Sequence, residues 1–302
     1  MTVLVTGGKG FIGRRLVEAL EKKGNEVRVI DVEKENMLGV LDFDSLLQAM
    51  QGVKIVFHLG AISGNLYFEH PPLGIKVNCL GTWNLLEAAR IARVKRVVFA
   101  STSSLYAETP IPHKETSAPE GAVNLYSATK LFGEYMMQMY WQRHRLETVI
   151  CRFASIYGVG EESKGHVANP VTQFICDMLE GNQPVLFGDG SQTRDLTYVD
   201  DVVSALLHCA TSFMTVMPGE IYNVSTNYAS SFNYVVEVIN KVLGTDIKPK
   251  YEPYKVTGLQ SVYVDSQVCD NTKLVSTGWT PKVSLEEGIR RIVESKKKPV
   301  TT

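Results

Sequence analysis

The chain lacks several features that mark particular classes of protein. No apolar run among its 302 residues is long enough to span a bilayer, and it starts on a strand without a charged leader and apolar signal core. Its five cysteines are scattered without paired spacing, and its six histidines show no metal spacing with them. We therefore expect a cytoplasmic protein with no disulfide framework, no metal site and no membrane partner.

An excess of charge of one sign is also missing. The formal net charge is -1, from 31 Lys and Arg against 32 Asp and Glu. This balance gives no electrostatic basis for nucleic acid or an anionic membrane surface as a partner. A hydrophobic content of 44% instead fits a globular protein with a sizeable core. The expected partner is a small molecule.

The chain does have a glycine-rich turn close to its start. The run TVLV predicts a strand, TGGKG a turn, and the residues that follow an amphipathic helix. Gly7 permits the tight turn, Gly10 lets backbone approach a pyrophosphate, and Gly13 lets the helix pack closely on the strand. The unpaired amides at the helix start, around Phe11 and Ile12, would face the anion. The segment therefore predicts a dinucleotide-binding site.

An acidic residue ends the second predicted strand, NEVRVIDV. Asp31 lies at its tip and can accept hydrogen bonds from the ribose hydroxyls of an adenosine. Its charge would repel the extra phosphate of NADP, so NAD is the predicted cofactor. Two observations keep alternatives open: Lys9, within the glycine turn, could attract that phosphate, and an Asp at the end of a strand is common.

Strands and helices alternate up to about residue 160. Buried strands are predicted at VKIVFHLGA, RVVFASTSS and ETVICRFASIYG, and helices at 42–51, 78–92 and 125–141. This alternation predicts an α/β fold with a doubly wound parallel sheet of the Rossmann type. Past it, Gly, Pro and Asn become frequent. We expect an NAD-binding domain over 1–160, rejoined by segments near 195–225, and a smaller, discontinuous substrate-binding lobe over 161–302.

Three residues suggest the chemistry. Tyr126 and Lys130 are four apart on a predicted helix and share one face of it, and Thr102 ends the strand before them. An ammonium, together with the positive nicotinamide ring of an oxidised cofactor, would favour the phenolate and lower the pKa of the tyrosine. Tyr126 could then take the proton of a substrate hydroxyl that Thr102 also binds. The alternative is a helix-start aromatic residue packed on the sheet.

Nine segments occur in the order seen in one family: TGGKGFIG, Asp31, HLGA, VNCLGTWNLLEAA, STSSLY, YSATK, RFASIYG, GDGSQTRDLTYVDDV and GWTPKVSLEEGI. The chain resembles an extended short-chain dehydrogenase/reductase of the NAD-dependent epimerase/dehydratase type. The best-known members are nucleotide-sugar 4-epimerases such as UDP-glucose 4-epimerase. The likeness runs from residue 1 to about 295.

The resemblance assigns roles to further positions. It places the catalytic hydroxyl, phenol and amine on Thr102, Tyr126 and Lys130. Around the cofactor it adds Leu59, Gly60, Ala61, Asn78 and Phe153. It also counts Tyr126 and Lys130 as cofactor contacts, with the lysine holding the cofactor's ribose. Around the substrate it adds Ser103, Asn169 and Arg194, the last as the arginine that grips a nucleotide diphosphate. An alternative for Arg194 is a surface ion pair with Asp195 or Asp189.

Departures from the family pattern limit the substrate assignment. Sugar-nucleotide dehydratases usually carry Thr-Asp-Glu at the strand tip, whereas this chain has Thr102, Ser103 and Ser104, so a dehydratase is disfavoured. A second phosphate-binding arginine, expected near Gly258, is missing. The resemblance thus favours a nucleotide-sugar epimerase and a homodimer. The alternatives are a dehydrogenase of a sugar, sugar acid or polyol that releases its oxidised product, and a regulator that binds NAD without catalysis.

Overall fold

The computed structural model describes residues 1–31, 39–63, 69–106, 109–117, 124–253 and 265–297. Its central strands are buried on both faces, as apolar strands in a helix-covered parallel sheet are expected to be. In chain order the strands are β1 (Thr2–Thr6), β2 (Glu26–Ile30), β3 (Ile55–His58), β4 (Arg96–Thr102), β5 (Glu147–Phe153), β6 (Ser155–Tyr157), β7 (Val185–Phe187), β8 (Thr193–Tyr198), β9 (Ile221–Val224), β10 (Ala229–Ser231), β11 (Lys250–Glu252) and β12 (Ser266–Gln267).

The main sheet has the strand order β2-β1-β3-β4-β5-β9, and every pair in it is parallel. Strand β2 lies on one side of β1, and β3 and the strands after it lie on the other side. The connections that follow β1 and β3 therefore lead away from each other, which leaves a crevice beyond the carboxyl ends of these strands. The predicted doubly wound α/β fold is confirmed. Strand β9 lies in the segment near 195–225 that was expected to rejoin the first domain, and it adds to the edge of this sheet beside β5.

The α-helices cover both faces of the main sheet and also pack in the second lobe. In chain order they are α1 (Phe11–Lys22), α2 (Phe43–Ala49), α3 (Pro71–Ile75), α4 (Gly81–Ile91), α5 (Leu125–His144), α6 (Pro170–Leu179), α7 (Val199–Thr211), α8 (Phe232–Leu243), α9 (Thr272–Val275) and α10 (Leu285–Lys297). Apolar residues of α1 and α7 form the core on one face, and those of α2, α4 and α5 form it on the other. None of the helices in the described ranges is long and apolar enough to cross a membrane.

Two predicted elements are divided in the structure. The helix expected at 78–92 starts as a π-helical turn, Lys76–Leu80, which continues directly into α4. The strand expected in ETVICRFASIYG becomes β5 and β6. The backbone N–H of Ala154 still donates to the carbonyl of Val224 on β9, but the next residues pair with β8 instead. The chain therefore passes from the main sheet to a second one within a single residue.

The second lobe has its own core. Strands β10, β8 and β12 form a small sheet that β6 joins through β8, and β7 pairs with β11. Helices α6, α8 and α10 pack their apolar residues together against it. Asp195 of β8 is fully buried and connects this sheet to the main one. It accepts hydrogen bonds from the N–H groups of Thr226 and Asn227, which follow β9, and from the N–H of Cys269.

Helix α5 lies unusually close to strand β4. Its N-terminus is capped by Asn124, whose side chain accepts from the N–H of Ser127, and it ends at Arg145 in a left-handed conformation with φ of 58°. At Gly133 a side chain would collide with the ring of Phe99, since a Cβ atom would lie 2.6 Å from its Cζ. The missing side chain lets the first half of α5 approach the carboxyl end of β4.

Candidate active site

A cleft of about 630 Å³ opens at the carboxyl ends of β1, β2 and β3. Its other walls come from the segment 39–40 and from the start of the helical region at 70–77. Six of the predicted cofactor residues line the cleft: Gly7, Gly10, Asp31, Leu59, Gly60 and Ala61. The predicted residues Phe11, Ile12 and Gly13 instead form the start of α1, where the side chain of Phe11 is buried.

The geometry of the glycine turn fits a dinucleotide. Gly7 has φ of +70°, and a Cβ on it would lie 2.8 Å from the backbone nitrogen of Gly60. A Cβ on Gly13 would overlap the carbonyl oxygen of Gly7. The turn, the end of β3 and α1 are therefore in direct backbone contact. Helix α1 therefore begins directly after Gly10, which lines the cleft, and the first amides of a helix favour an anion such as a pyrophosphate.

Asp31 occupies the position expected for a ribose ligand. One oxygen of its carboxylate, Oδ2, accepts a hydrogen bond of 2.7 Å from the N–H of Lys9. This bond connects the end of β2 to the glycine turn and holds the carboxylate at the cleft. A carboxylate there favours a ribose with free hydroxyls over one that carries a phosphate.

A buried imidazole lies directly below the cleft. His58 ends β3, is 1% exposed, and bonds through Nδ1 to the hydroxyl of Thr6 (2.8 Å) and through Nε2 to that of Thr82 (3.0 Å). Thr82 donates its own proton to the carbonyl of Asn78, so it must accept from Nε2–H of His58. Burial lowers the pKa of His58 to about 3. The histidine is thus a neutral, oriented part of the floor.

Asn78 supports the wall of the cleft. Its side-chain oxygen accepts from the N–H of Ile62, and its amide donates to the carbonyl of Ile62 and to the hydroxyl of Thr129 on α5. The residue is buried, and these bonds use both of its amide hydrogens. Asn78 therefore holds Ile62, which lines the cleft, against α5. Its predicted contact with the cofactor stays a prediction.

Hydroxyl groups join the tip of β4 to the start of α5. Thr102 shares a 2.8 Å hydrogen bond with the hydroxyl of Ser104, and the hydroxyl of Ser127 lies 3.3 Å from the same oxygen. Thr102 is partly exposed and ends β4, and Tyr126 lies in the first turn of α5. The fold thus brings the predicted hydroxyl and phenol to one place. Ser104 and Ser127 belong to this hydrogen-bonded group. Neither was predicted as a site residue, although they lie within the motifs STSSLY and YSATK.

Lys130 lies one turn after Tyr126 and below it. Its ammonium is 5.9 Å from the centre of the Tyr126 ring, donates to the carbonyl of Ala100 and is almost fully buried. Burial raises the pKa of Tyr126 to about 12 and lowers that of Lys130 to about 8. Within the chain, loss of hydration therefore outweighs the attraction between the two groups. The acidic phenol expected from the sequence requires the second positive charge, that of the nicotinamide ring.

The second lobe contributes Arg194 on β8, between β10 and β12. Gln267 of β12 pairs directly with Arg194. The side-chain amide of Gln267 donates a hydrogen bond to the hydroxyl of Ser103 at the tip of β4. This bond connects the tip of β4 to the strand beside Arg194, and nothing in the sequence indicated it. The guanidinium lies 5.6 Å from the centre of the Phe232 ring. The carboxylate of Asp195 is buried and bonded to backbone donors, which disfavours the alternative ion pair with this residue.

Other predicted residues have structural partners. Asn169 caps α6 by accepting from the N–H of Val171, and its amide donates to the carbonyl of Ile156. Phe153 ends β5 with its side chain in the core. Their predicted contacts with substrate and cofactor stay predictions. The position near Gly258, where a second arginine was expected, lies outside the described residues.

A sequence model of the NAD dependent epimerase/dehydratase family matches residues 3–225. The chain belongs to this family. The resemblance drawn from the motifs is confirmed, and the protein is an enzyme of the extended short-chain dehydrogenase/reductase type.

Relatives match the whole length of the chain. UDP-glucose 4-epimerase of Mycolicibacterium smegmatis is 31% identical, over 97% of this chain and 98% of its own. The structure is similar to that of UDP-glucose 4-epimerase from Thermotoga maritima with UDP-glucose, with a TM-score of 0.87, 30% identity and coverage of 98% and 99%. It is also similar to the UDP-glucose 4-epimerase of Thermus thermophilus in complex with NAD, with a TM-score of 0.84, 31% identity and coverage of 99% and 100%.

We expect the ring of His58 to stay neutral, with its proton on Nε2, at every pH between about 8 and 4, because its pKa of about 3 lies below that range. Nitrogen-detected NMR of labelled imidazole rings measures both properties. Thr82→Val removes the acceptor of Nε2–H at almost constant volume and should release the tautomer. A midpoint near the ordinary histidine pKa of about 6.5 in the unaltered protein would contradict the assignment.

Proposed function

We propose that the protein is an NAD-dependent 4-epimerase of a nucleotide sugar that resembles UDP-glucose 4-epimerase. The observation that carries the proposal is the meeting of Tyr126, Lys130 and Thr102 beside a cleft that fits a dinucleotide. The names of the relatives and the complexes with NAD and UDP-glucose support it. No carboxylate stands at Ser103 or Ser104, where an elimination of water would need one.

The cofactor half of the site is NAD-specific in this proposal. Gly7, Gly10 and the start of α1 would hold the pyrophosphate, and Asp31 the ribose hydroxyls of the adenosine. Leu59, Gly60 and Ala61 would lie along the cofactor. Residues 1–160 with β9 would form the NAD-binding domain, and 161–302 mainly the sugar-nucleotide lobe. All five cysteines are free thiols, which supports a reducing cytoplasmic location.

The protein's own residues would perform the proton transfer. Tyr126 takes the proton from the sugar hydroxyl, and Thr102 donates or accepts a hydrogen bond at the same oxygen to fix its position. Lys130 stabilises the phenolate through its charge. NAD, when bound, supplies the chemistry of accepting a hydride from the sugar carbon and returning it. The keto sugar would rotate so that the opposite face of its carbonyl carbon receives the returning hydride, and Tyr126 would give the proton back to the oxygen, which completes the inversion.

Arg194 would hold the substrate diphosphate, with Ser103 and Asn169 as further contacts. A guanidinium can bind two phosphate oxygens at once, and β10 and β12 fix its strand on both sides. The bond from Gln267 to Ser103 keeps this strand at a constant position relative to the tip of β4. Remote binding of the diphosphate would thus leave the sugar free to turn next to Tyr126.

We expect Tyr126→Phe to lower kcat by about 100- to 10,000-fold, because the phenol oxygen that moves the proton is removed. Binding of NAD, measured by calorimetry, should be unaffected. The unaltered enzyme should invert UDP-glucose without net accumulation of reduced nicotinamide, measured by chromatography and absorbance. Tyr234→Phe, at an exposed position on α8, is the control. Stoichiometric accumulation of reduced cofactor would instead identify a dehydrogenase.

Arg194→Ala should raise the KM for UDP-glucose by about 10- to 100-fold, since a charge-assisted bond contributes about 1.5–3 kcal/mol. The effect on kcat should be smaller, because the arginine binds a part of the substrate that does not react. Arg290→Ala, which removes a surface arginine of α10 in the same lobe, is the matched control. An unchanged KM in Arg194→Ala would argue against a diphosphate-bearing substrate.

We further propose a homodimer formed through α4 and α5. These helices pack side by side, and several of their exposed side chains are apolar; this set is called here the helical face. It contains Leu80, just before α4, Trp83, Ile91, Leu125, Phe132 and Tyr135, all between 40% and 61% exposed. An apolar surface of this kind is typical of a contact between subunits. The same helix would then carry the catalytic pair on one side and the contact on the other.

The double variant Trp83→Asp/Phe132→Asp should be a monomer, because two charges would lose their hydration at the helical face. Light scattering coupled to size-exclusion chromatography measures the mass directly. Met214→Asp, at a residue that is 91% exposed and outside the helical face, should remain a dimer. A monomeric unaltered protein, or a double variant of unchanged mass, would contradict this interface.

A further inference from the structure

A fully buried ion pair lies beneath the catalytic residues and has no part in the mechanism above. Glu134 and Arg152 are 2% and 3% exposed. The carboxylate accepts from Nε of the arginine at 2.9 Å and from Nη2 at 2.7 Å, a two-pronged arrangement. Such a pair adds little net stability, because both charges lose their hydration. Its position in the fold points to another use.

Glu134 contacts the elements that carry the catalytic groups. It lies on α5, four residues after Lys130 and eight after Tyr126, so the three side chains follow one face of the helix. It also accepts from the hydroxyl of Ser101, next to Thr102 on β4. Arg152 lies on β5, with its guanidinium carbon 4.8 Å from the centre of the Tyr106 ring. The carboxylate is thus held from two neighbouring strands.

The charged and titratable groups around Lys130 form an alternating row. On α5 they are Tyr126 on one side and Glu134 on the other, and Arg152 of β5 lies behind Glu134. From β3 the lysine faces His58, which is neutral, and from β4 it faces the carbonyl of Ala100 and the ring of Phe99. Among the described residues, Glu134 is therefore the anion that faces the ammonium.

We propose that Glu134 is a positioning residue whose buried negative charge, held in place by Arg152 and Ser101, keeps Lys130 an ammonium beside Tyr126. The inference rests on the proposed roles of Tyr126 and Lys130. The charges of Arg152, Glu134, Lys130 and the Tyr126 phenolate then alternate in sign. This row of charges stabilises the phenolate at the cleft.

The direction of the electrostatic effects agrees with this role. Burial lowers the pKa of Lys130 to about 8, and the charge of Glu134 opposes that change. Without the carboxylate the pKa of the lysine falls further, so less of it is protonated at pH 7. The phenolate would then lose its neighbouring charge although every catalytic side chain is still present.

The experiment is a pH titration of Lys130 by NMR, in protein with isotope-labelled lysine and without substrate. The signal is assigned by its loss in Lys130→Met. In Glu134→Gln we expect the midpoint to fall by about one pH unit or more, as expected for the loss of one buried charge on the next helical turn. A fall from about 8 to about 7 would leave about half of Lys130 protonated at pH 7, so kcat at this pH should fall about twofold, and further for a larger shift, with little change in KM.

Two further variants separate charge from packing. Glu134→Gln/Arg152→Gln removes both buried charges, so it should fold even if the single variant does not, and its Lys130 midpoint should also be lowered. Ser101→Ala removes a hydrogen bond to Glu134 but no charge, so its midpoint should stay near that of the unaltered protein. A midpoint unchanged in both Glu134 variants, or lowered equally by Ser101→Ala, would overturn the proposal. A lowered midpoint with undiminished turnover would support the charge row and contradict the catalytic role of Lys130.

Discussion

The ammonium of Lys130 is almost fully removed from water, and much of the surrounding structure serves to accommodate it. Its hydrogen bond to the carbonyl of Ala100 joins α5 to β4, and the missing side chain at Gly133 allows the two to approach. The imidazole nearest to it carries no charge because burial disfavours its protonated form. A helix, a strand and a histidine are thus all arranged around one cation.

This arrangement explains why catalytic groups from different elements converge. Parallel strands expose their carboxyl ends at one edge, so Thr102 and the glycine turn meet there without any long-range signal in the sequence. Helix α5 then adds Tyr126 from the side, with its first turn fixed by the cap at Asn124. Small hydroxyl groups fill the space between strand and helix.

The sequence predicted the parts of the molecule that depend on local pattern. The glycine turn, Asp31 and the Tyr126–Lys130 spacing are short-range features, and each lies at the cleft or beside it. Residues that depend on distant partners could not be predicted in this way. The bond between Gln267 and Ser103 joins positions 164 residues apart, and Glu134 meets Arg152 only after α5 packs on β5. The effect of burial on the pKa of Tyr126 could not be predicted either, because the spacing of residues in the sequence does not show how deeply a side chain is buried.

The carboxylate of Asp195 has a consequence for how the two lobes can move. Its oxygens bind backbone groups on both sides of the junction, and it is fully out of solvent. A hinge that opened there would break several hydrogen bonds of this carboxylate at once. These bonds moor the two sheets to each other, and we therefore expect rearrangement of loops and side chains, and not a hinge at this junction, to admit the substrate.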